Sequence, residues 1–277
     1  MKIAATGILA ALLAVPAFAG VFDGDECRYN EPRRAQTPAA GISKVVIHAV
    51  AGSLEVGGVA GADRVVVDGQ VCTSESDLID QMTLTLRKRG SVLHIDAEIP
   101  EKRVIFGFYS ARLDFSVTLP AGIPVEIEDG SGWIRVSNTG PTSIHDGSGA
   151  IEVRGVQGSL EIRDGSGGID VDGVGGPVSI TDGSGEILIR NIRGDITLED
   201  GSGAISVSHA EGSLHIRDDG SGSIGVRNVR GSVLIDDDGS GAVDVADIGG
   251  DFTLRHKGSG SISHERVAGK VSVPSRH

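Results

Sequence analysis

One four-residue motif dominates the second half of this chain. Asp-Gly-Ser-Gly begins at Asp129, Asp146, Asp164, Asp182, Asp200, Asp219 and Asp238, and a Lys-Gly-Ser-Gly variant begins at Lys257. A carboxylate, a hydroxyl and two glycines in four residues open three kinds of chemistry. Calcium comes first, because the run after each aspartate shares its glycine spacing with the nonapeptide of calcium-bound β-rolls. The ligand position of that nonapeptide holds Ile151, Ile169, Ile187 and Ile205 here, and hydrocarbon cannot coordinate a hard cation. Nucleophilic serine is the second possibility. Eight equivalent serines, from Ser131 to Ser259, would each need a private base, whereas a nucleophile is singular and served by one oriented histidine. Phosphate binding needs a helix N-terminus after the glycines, and the residues that follow alternate as strands do. The motif therefore reads as a structural turn. Its aspartates are expected to form a ladder along one solvated edge. Neighbouring charges there would repel by roughly 0.9 kcal/mol, offset by an Asx-type bond to a following backbone N–H. The doubled and tripled acids at Asp218-Asp219 and Asp236-Asp237-Asp238 keep cation binding open.

The elements that carry these turns follow from the period. Successive motifs are 17, 18, 18, 18, 19, 19 and 19 residues apart, which demands a repeat architecture. After each turn comes an alternating apolar pair, such as Ile151 and Val153 or Ile187 and Ile189. A single apolar residue follows (Val156, Val174, Ile192, Ala210, Val229, Ile248), and then a second pair such as Leu160 and Ile162. Alternation has period two, so each repeat is two short strands with one face inward. One coil cannot bury that face alone, but stacked coils can. The predicted fold is all-β: a parallel β-solenoid of 17–19-residue two-strand coils, with two sheets facing each other across a thin aliphatic core. The aromatic share of 3% and the 42 glycines fit that architecture.

Lys2, the apolar run Ile8 to Val15 and Ala17-Phe18-Ala19 form a signal peptide over 1–19, cleaved after Ala19. Residues 20–40 form an N-terminal arm, 41–273 a single solenoid domain and 274–277 a tail. Within the domain, 41–127 hold irregular coils that cap the stack, and 128–273 the regular repeats. Export places Cys27 and Cys72 in an oxidising compartment, so they are expected to form a disulfide that pins the arm. No later run is apolar enough to span a membrane, and a formal charge of −13 disfavours nucleic acid and anionic membranes as partners.

The run Leu119-Pro-Ala-Gly-Ile-Pro-Val-Glu-Ile-Glu-Asp-Gly-Ser-Gly-Trp-Ile-Arg-Val136 resembles the entry into the bacterial putative-adhesin domain family of short-coil β-solenoids. The resemblance covers roughly residues 41 to 273. Together with the leader and the turn residues it implies an exported, non-enzymatic binding or scaffold protein of the cell envelope, periplasmic or at the cell surface or extracellular, without cofactor or metal, whose partner is an envelope or surface component of protein or glycan. It supplies no catalytic motif.

One segment departs from the aliphatic rule. Phe106, Phe108 and Tyr109 lie within four residues, flanked by charge. They are either a plug over the open end of the core or a contact loop for a partner. The expected division makes both phenylalanines structural and Tyr109 the exposed member. Two other functional classes stay open. A polysaccharide-acting β-helix enzyme needs acids and bases clustered on one sheet face, and the outward positions Glu152, Asp170, Leu188, Ser206 and Glu161, Ser179, Thr197, His215 hold no such cluster. A calcium-stiffened secreted rod would draw on the aspartate ladder.

Overall fold

A computed structural model describes residues 27–100 and 109–274. The described chain has no helix and forms two twelve-stranded sheets that face each other. The signal peptide, Phe106, Phe108 and the last three residues of the tail lie outside the described residues.

The first seven strands are β1 (Tyr29–Pro38), β2 (Lys44–His48), β3 (Leu54–Val59), β4 (Arg64–Thr73), β5 (Thr83–Arg89), β6 (Val92–Glu98) and β7 (Ala111–Pro120). From there strands alternate between the sheets. The first sheet receives β8 (Val125–Asp129), β10 (Thr142–Asp146), β12 (Leu160–Asp164), β14 (Val178–Asp182), β16 (Ile196–Asp200), β18 (Leu214–Asp219), β20 (Val233–Ser240), β22 (Phe252–Ser259) and β24 (Val271–Ser272). The second receives β9 (Ile134–Ser137), β11 (Ile151–Val156), β13 (Ile169–Val174), β15 (Ile187–Ile192), β17 (Ile205–Ala210), β19 (Ile224–Val229), β21 (Val243–Ile248) and β23 (Ile262–Val267). This is the parallel β-solenoid that the repeat predicts. Pairing is parallel and in register, with Ile151 beside Ile169 and Ile169 beside Ile187, apart from a bulge at Arg217 between β16 and β18. The inward Ile, Val and Leu are almost wholly buried in one continuous core. Phe252 joins it near the last coils, tilted against His264 with ring centroids 6.2 Å apart.

The N-terminal third is not a run of coils in chain order. The coil β2–β3 stacks directly on β8–β9, whereas the later coil β6–β7 lies outside it. Beyond them the direction reverses. β4 pairs antiparallel with β7, β1 antiparallel with β4, and β5 antiparallel with β6. Short turns reverse a chain, whereas parallel neighbours need a crossover, and Gly90 with φ 61° makes such a turn between β5 and β6. These strands, with Met82 just ahead of β5, cover one end of the core with bulkier side chains, including Leu113 and Phe115.

The arm expected over 20–40 is, from Tyr29, a ten-residue edge strand, so the sheet starts ahead of the expected boundary at 41. Proline is tolerated at an edge because no neighbour needs its missing N–H, and Pro32, Arg33 and Arg34 blunt the edge against further pairing. The expected disulfide joins Cys27 to Cys72, with Cα atoms 5.1 Å apart. It fastens the chain just before β1 to the end of β4.

Candidate functional site: two corners of the coil

Each regular coil turns twice, and the two corners differ in every physical respect. The first is the Asp-Gly-Ser-Gly turn. Along β12 the residues Leu160, Ile162 and Asp164 point inward while Glu161 and Arg163 point out. The aspartate is therefore the third inward residue of its strand. Asp146, Asp164, Asp182, Asp200, Asp219 and Asp238 are all buried, and the last two are fully so. Asp129, in the first regular coil, is half-buried. The expectation of a solvated ladder is overturned: alternation carries the carboxylates into the core's margin, where salt screens them much less.

Each carboxylate is held on one side. Ser148, Ser166, Ser184 and Ser202 donate their backbone N–H to Oδ1 of Asp146, Asp164, Asp182 and Asp200 at 3.1–3.3 Å. Oδ2 of these four aspartates has no hydrogen-bond partner, and neither oxygen of Asp219 has one of normal geometry. Burial, reinforced by the neighbouring carboxylates, pushes Asp129 and Asp182 up to about 6 and Asp219 to about 7. Burial likewise raises Asp146, Asp164 and Asp200. In the last such corner Lys257 turns inward, placing Nζ 2.6 Å from Asp238 Oδ2, 2.8 Å from the Gly241 carbonyl and 2.5 Å from the Ser259 carbonyl.

The glycines here are required by stacking. A Cβ on Gly203 would lie 1.6 Å from the Gly185 carbonyl oxygen, and φ is 151°. The serines are half-buried or exposed, and no histidine stands beside them in a hydrogen bond among the described residues. The turn has no nucleophile–base pair.

The second corner is open. One residue per coil adopts a left-handed conformation there: Gly155, Gly173, Asn191, His209, Asn228 and Asp247, with φ between 56° and 78°. Asn, Asp, Gly and His are the residues that reach this region at least cost. The strand register skips this residue, as at Gly155 between the pairs Arg154–Asp172 and Val156–Val174. The chain bends there, and the next residue, such as Val156 or Ile192, turns into the core. Stacked bends leave a groove of about 930 Å³ along six coils. Its floor is the margin of the apolar core, and its walls carry Asn191, Arg193, His209, Asn228 and Arg230. All five are exposed. The Asn191 amide donates to Asp172 Oδ1 at 2.7 Å, and Arg230 stands 3.8 Å from Glu211.

Sequence reasoning passed over this row. Its signal was present, as a column of Asn, Gly, His and Asp one place before each lone inward aliphatic residue.

The other candidate residues fall as follows. Tyr109 is half-buried against the core rather than exposed as expected. His209 and His215 share a coil but not a site. His209 lines the groove, and His215 Nε2 lies 2.7 Å from Asp236 Oδ2. On the second sheet's outer face the acids are clasped by arginines. Asp170 accepts from Arg154 at 2.6 Å and Arg190 at 2.9 Å, and these guanidiniums hold it below the usual carboxylate range. Trp133 stands 42% exposed with the Arg135 guanidinium 5.1 Å from its ring centroid.

No family model and no curated protein matches the chain. Solved structures similar to this chain include a putative adhesin from Parabacteroides distasonis ATCC 8503, at TM-score 0.46 and 12% identity over 85% of this chain and 97% of that one. A putative adhesin (BF0245) from Bacteroides fragilis NCTC 9343 gives 0.39 and 13% over 88% and 97%. A structure named putative lipid binding protein, also from Parabacteroides distasonis ATCC 8503, gives 0.41 and 16% over 87% and 96%.

Proposed function

We propose that this protein is an exported, non-enzymatic binding module of the cell envelope that engages an extended polymer along the groove of the second corner. The observation that carries the reading is the row of exposed Asn191, His209 and Asn228, one per coil, flanked by Arg193 and Arg230. Coils repeat every ~4.8 Å, close to the length of one sugar ring in an extended glycan. Donors at that interval match a polymer that presents its own acceptors periodically. The apolar margin beneath them suits the flat face of a sugar ring, as ligand sites commonly combine apolar walls with a few placed polar groups. Export is supported by the leader-like first nineteen residues and by the Cys27–Cys72 disulfide.

The test uses glycine, which keeps the left-handed backbone while deleting the donor. Gly155 and Gly173 already occupy this position in neighbouring coils. The triple variant Asn191→Gly, His209→Gly, Asn228→Gly is expected to keep its melting temperature and lose binding at least tenfold on a panel of glycans and envelope polymers. Unchanged binding by this variant would remove the groove from the reading.

A further inference from the structure

The carboxylates of the first corner need a ligand that the backbone does not supply. Asp129, Asp146, Asp164, Asp182 and Asp200 each keep one buried oxygen unpaired, and Asp219, wholly inaccessible, keeps two. Charged oxygens withdrawn from water without partners are among the costliest arrangements in a protein. Two observations say what relieves them. At the last coil the relief is a positive charge, the Lys257 ammonium on Asp238. In the other coils no lysine reaches in, and no three carboxylate, imidazole or thiolate groups converge as a metal would need, among the described residues. What stacked carboxyls can share without extra room is a proton.

We propose that the aspartate column binds protons, with a neutral acid in one coil donating its O–H to the unpaired oxygen of the carboxylate in the next. Each proton comes from solvent and no other bond changes. The charged groups that face the column can be named. Asp219 meets Asp200 and Asp238 on either side and Asp218 beside it, Asp182 meets Asp164 and Asp200, and Asp146 has His145 as its neighbour. Lys257 faces Asp238. The remaining buried polar side chains among the described residues are Thr73, Thr139 and Thr142. The facing strands contribute only aliphatic side chains at this depth, such as Ile205 and Ile224.

The sign follows from linkage. An aspartate unfolds to an ordinary value of about 3.9, while the folded column titrates higher, with Asp182 at about 6 and Asp219 at about 7. Between those limits the folded state holds more protons. Stability is therefore greatest below the unfolded value and is lost as pH rises through the folded ones. The envelope protein would be firmer in mild acid than in mild base.

Two measurements test this on the full mature chain. Infrared spectra of the native protein at pH ~6 should show the carbonyl stretch of protonated carboxylic acids, which vanishes on unfolding in urea at the same pH. Urea unfolding at a series of pH values should give an unfolding constant that falls more than tenfold for each pH unit lowered near pH 6, since more than one proton is taken up. Asp219→Asn, a permanently neutral mimic of the acid, should weaken both signals, while His215→Gln, outside the column, should leave the infrared band intact. If Asp219→Asn fails to fold, the wild-type spectrum still decides. Absence of the acid band, or a stability that is flat or falling toward acid, overturns the proposal. So does a rise in stability at pH ~8 specific to potassium or calcium, which would make the ligand a metal.

Discussion

At one corner of each coil the residues barely change from turn to turn of the rod, and at the other they change at nearly every step. The constant corner holds acids, hydroxyls and glycines and so has the look of a reactive site. Yet its carboxylates are buried, its serines lack bases, and its glycines leave no room for a Cβ. The variable corner looks like filler in the sequence, but it is open to solvent and presents a different side chain in successive coils. Uniformity here marks a packing constraint, because each corner must sit on an identical corner. Variety marks positions that the stack leaves free for contact.

Substitutions can break that contrast. The largest effect is expected where a charge enters the strand centre. Ile187→Asp puts a carboxylate at a position with no exposure, where the residue's own N–H is already spent on the Ala204 carbonyl, and should abolish folding. Ser206→Asp, on an exposed outward position, should cost less than about 0.5 kcal/mol. Circular dichroism on both variants checks the pair, and equal behaviour would mean that the inward register is misassigned. Next comes the corner backbone itself. Gly203→Ala should destabilise by about 4 kcal/mol or more, since the added carbon meets a carbonyl rather than a movable side chain. Gly173→Asn, at the second corner with φ 78° and no contact closer than 3.6 Å, should stay within about 1 kcal/mol of the parent. Similar losses in denaturant melts would erase the distinction between the corners. The smallest effect concerns charge. Asp182→Asn keeps an acceptor for the Ser184 N–H while removing a buried charge. It should gain roughly 1 kcal/mol at pH ~8 and be nearly neutral at pH ~5, where Asp182 itself is mostly protonated. A loss at both pH values would show that the carboxylate is needed in its charged form.

Much of this architecture was legible in the residues. The period set the coil, and the alternating Ile and Val set which side chains face inward, because a two-residue repeat leaves no other face. The same rule places Asp164 inside, two residues after Ile162. An aspartate is an unusual core residue, so the alternating pattern looks as if it ends at the last aliphatic residue and the ladder as if it stood in water. The order of the N-terminal strands was not legible. Local pattern marks β4 and β7 as strands but says nothing about their antiparallel pairing, which is decided by the open end that they must cover. The arm escaped for a related reason: Pro32, Arg33 and Arg34 read as loop, although an edge strand accommodates them. The groove was missed because its residues have no common chemistry, only a common backbone angle.

In-register stacking also makes the rod a ruler. From Asp146 to Asp200 the corners advance by 18 residues each time, so removing or duplicating one such block rejoins the chain at an equivalent point. Length would then change in whole steps of one coil rise, ~4.8 Å, with both corners still continuous. A partial block would rotate strand onto corner and place aliphatic residues where glycine is required. The molecule can thus lengthen or shorten only by integers, and the length of its second-corner groove is counted in coils.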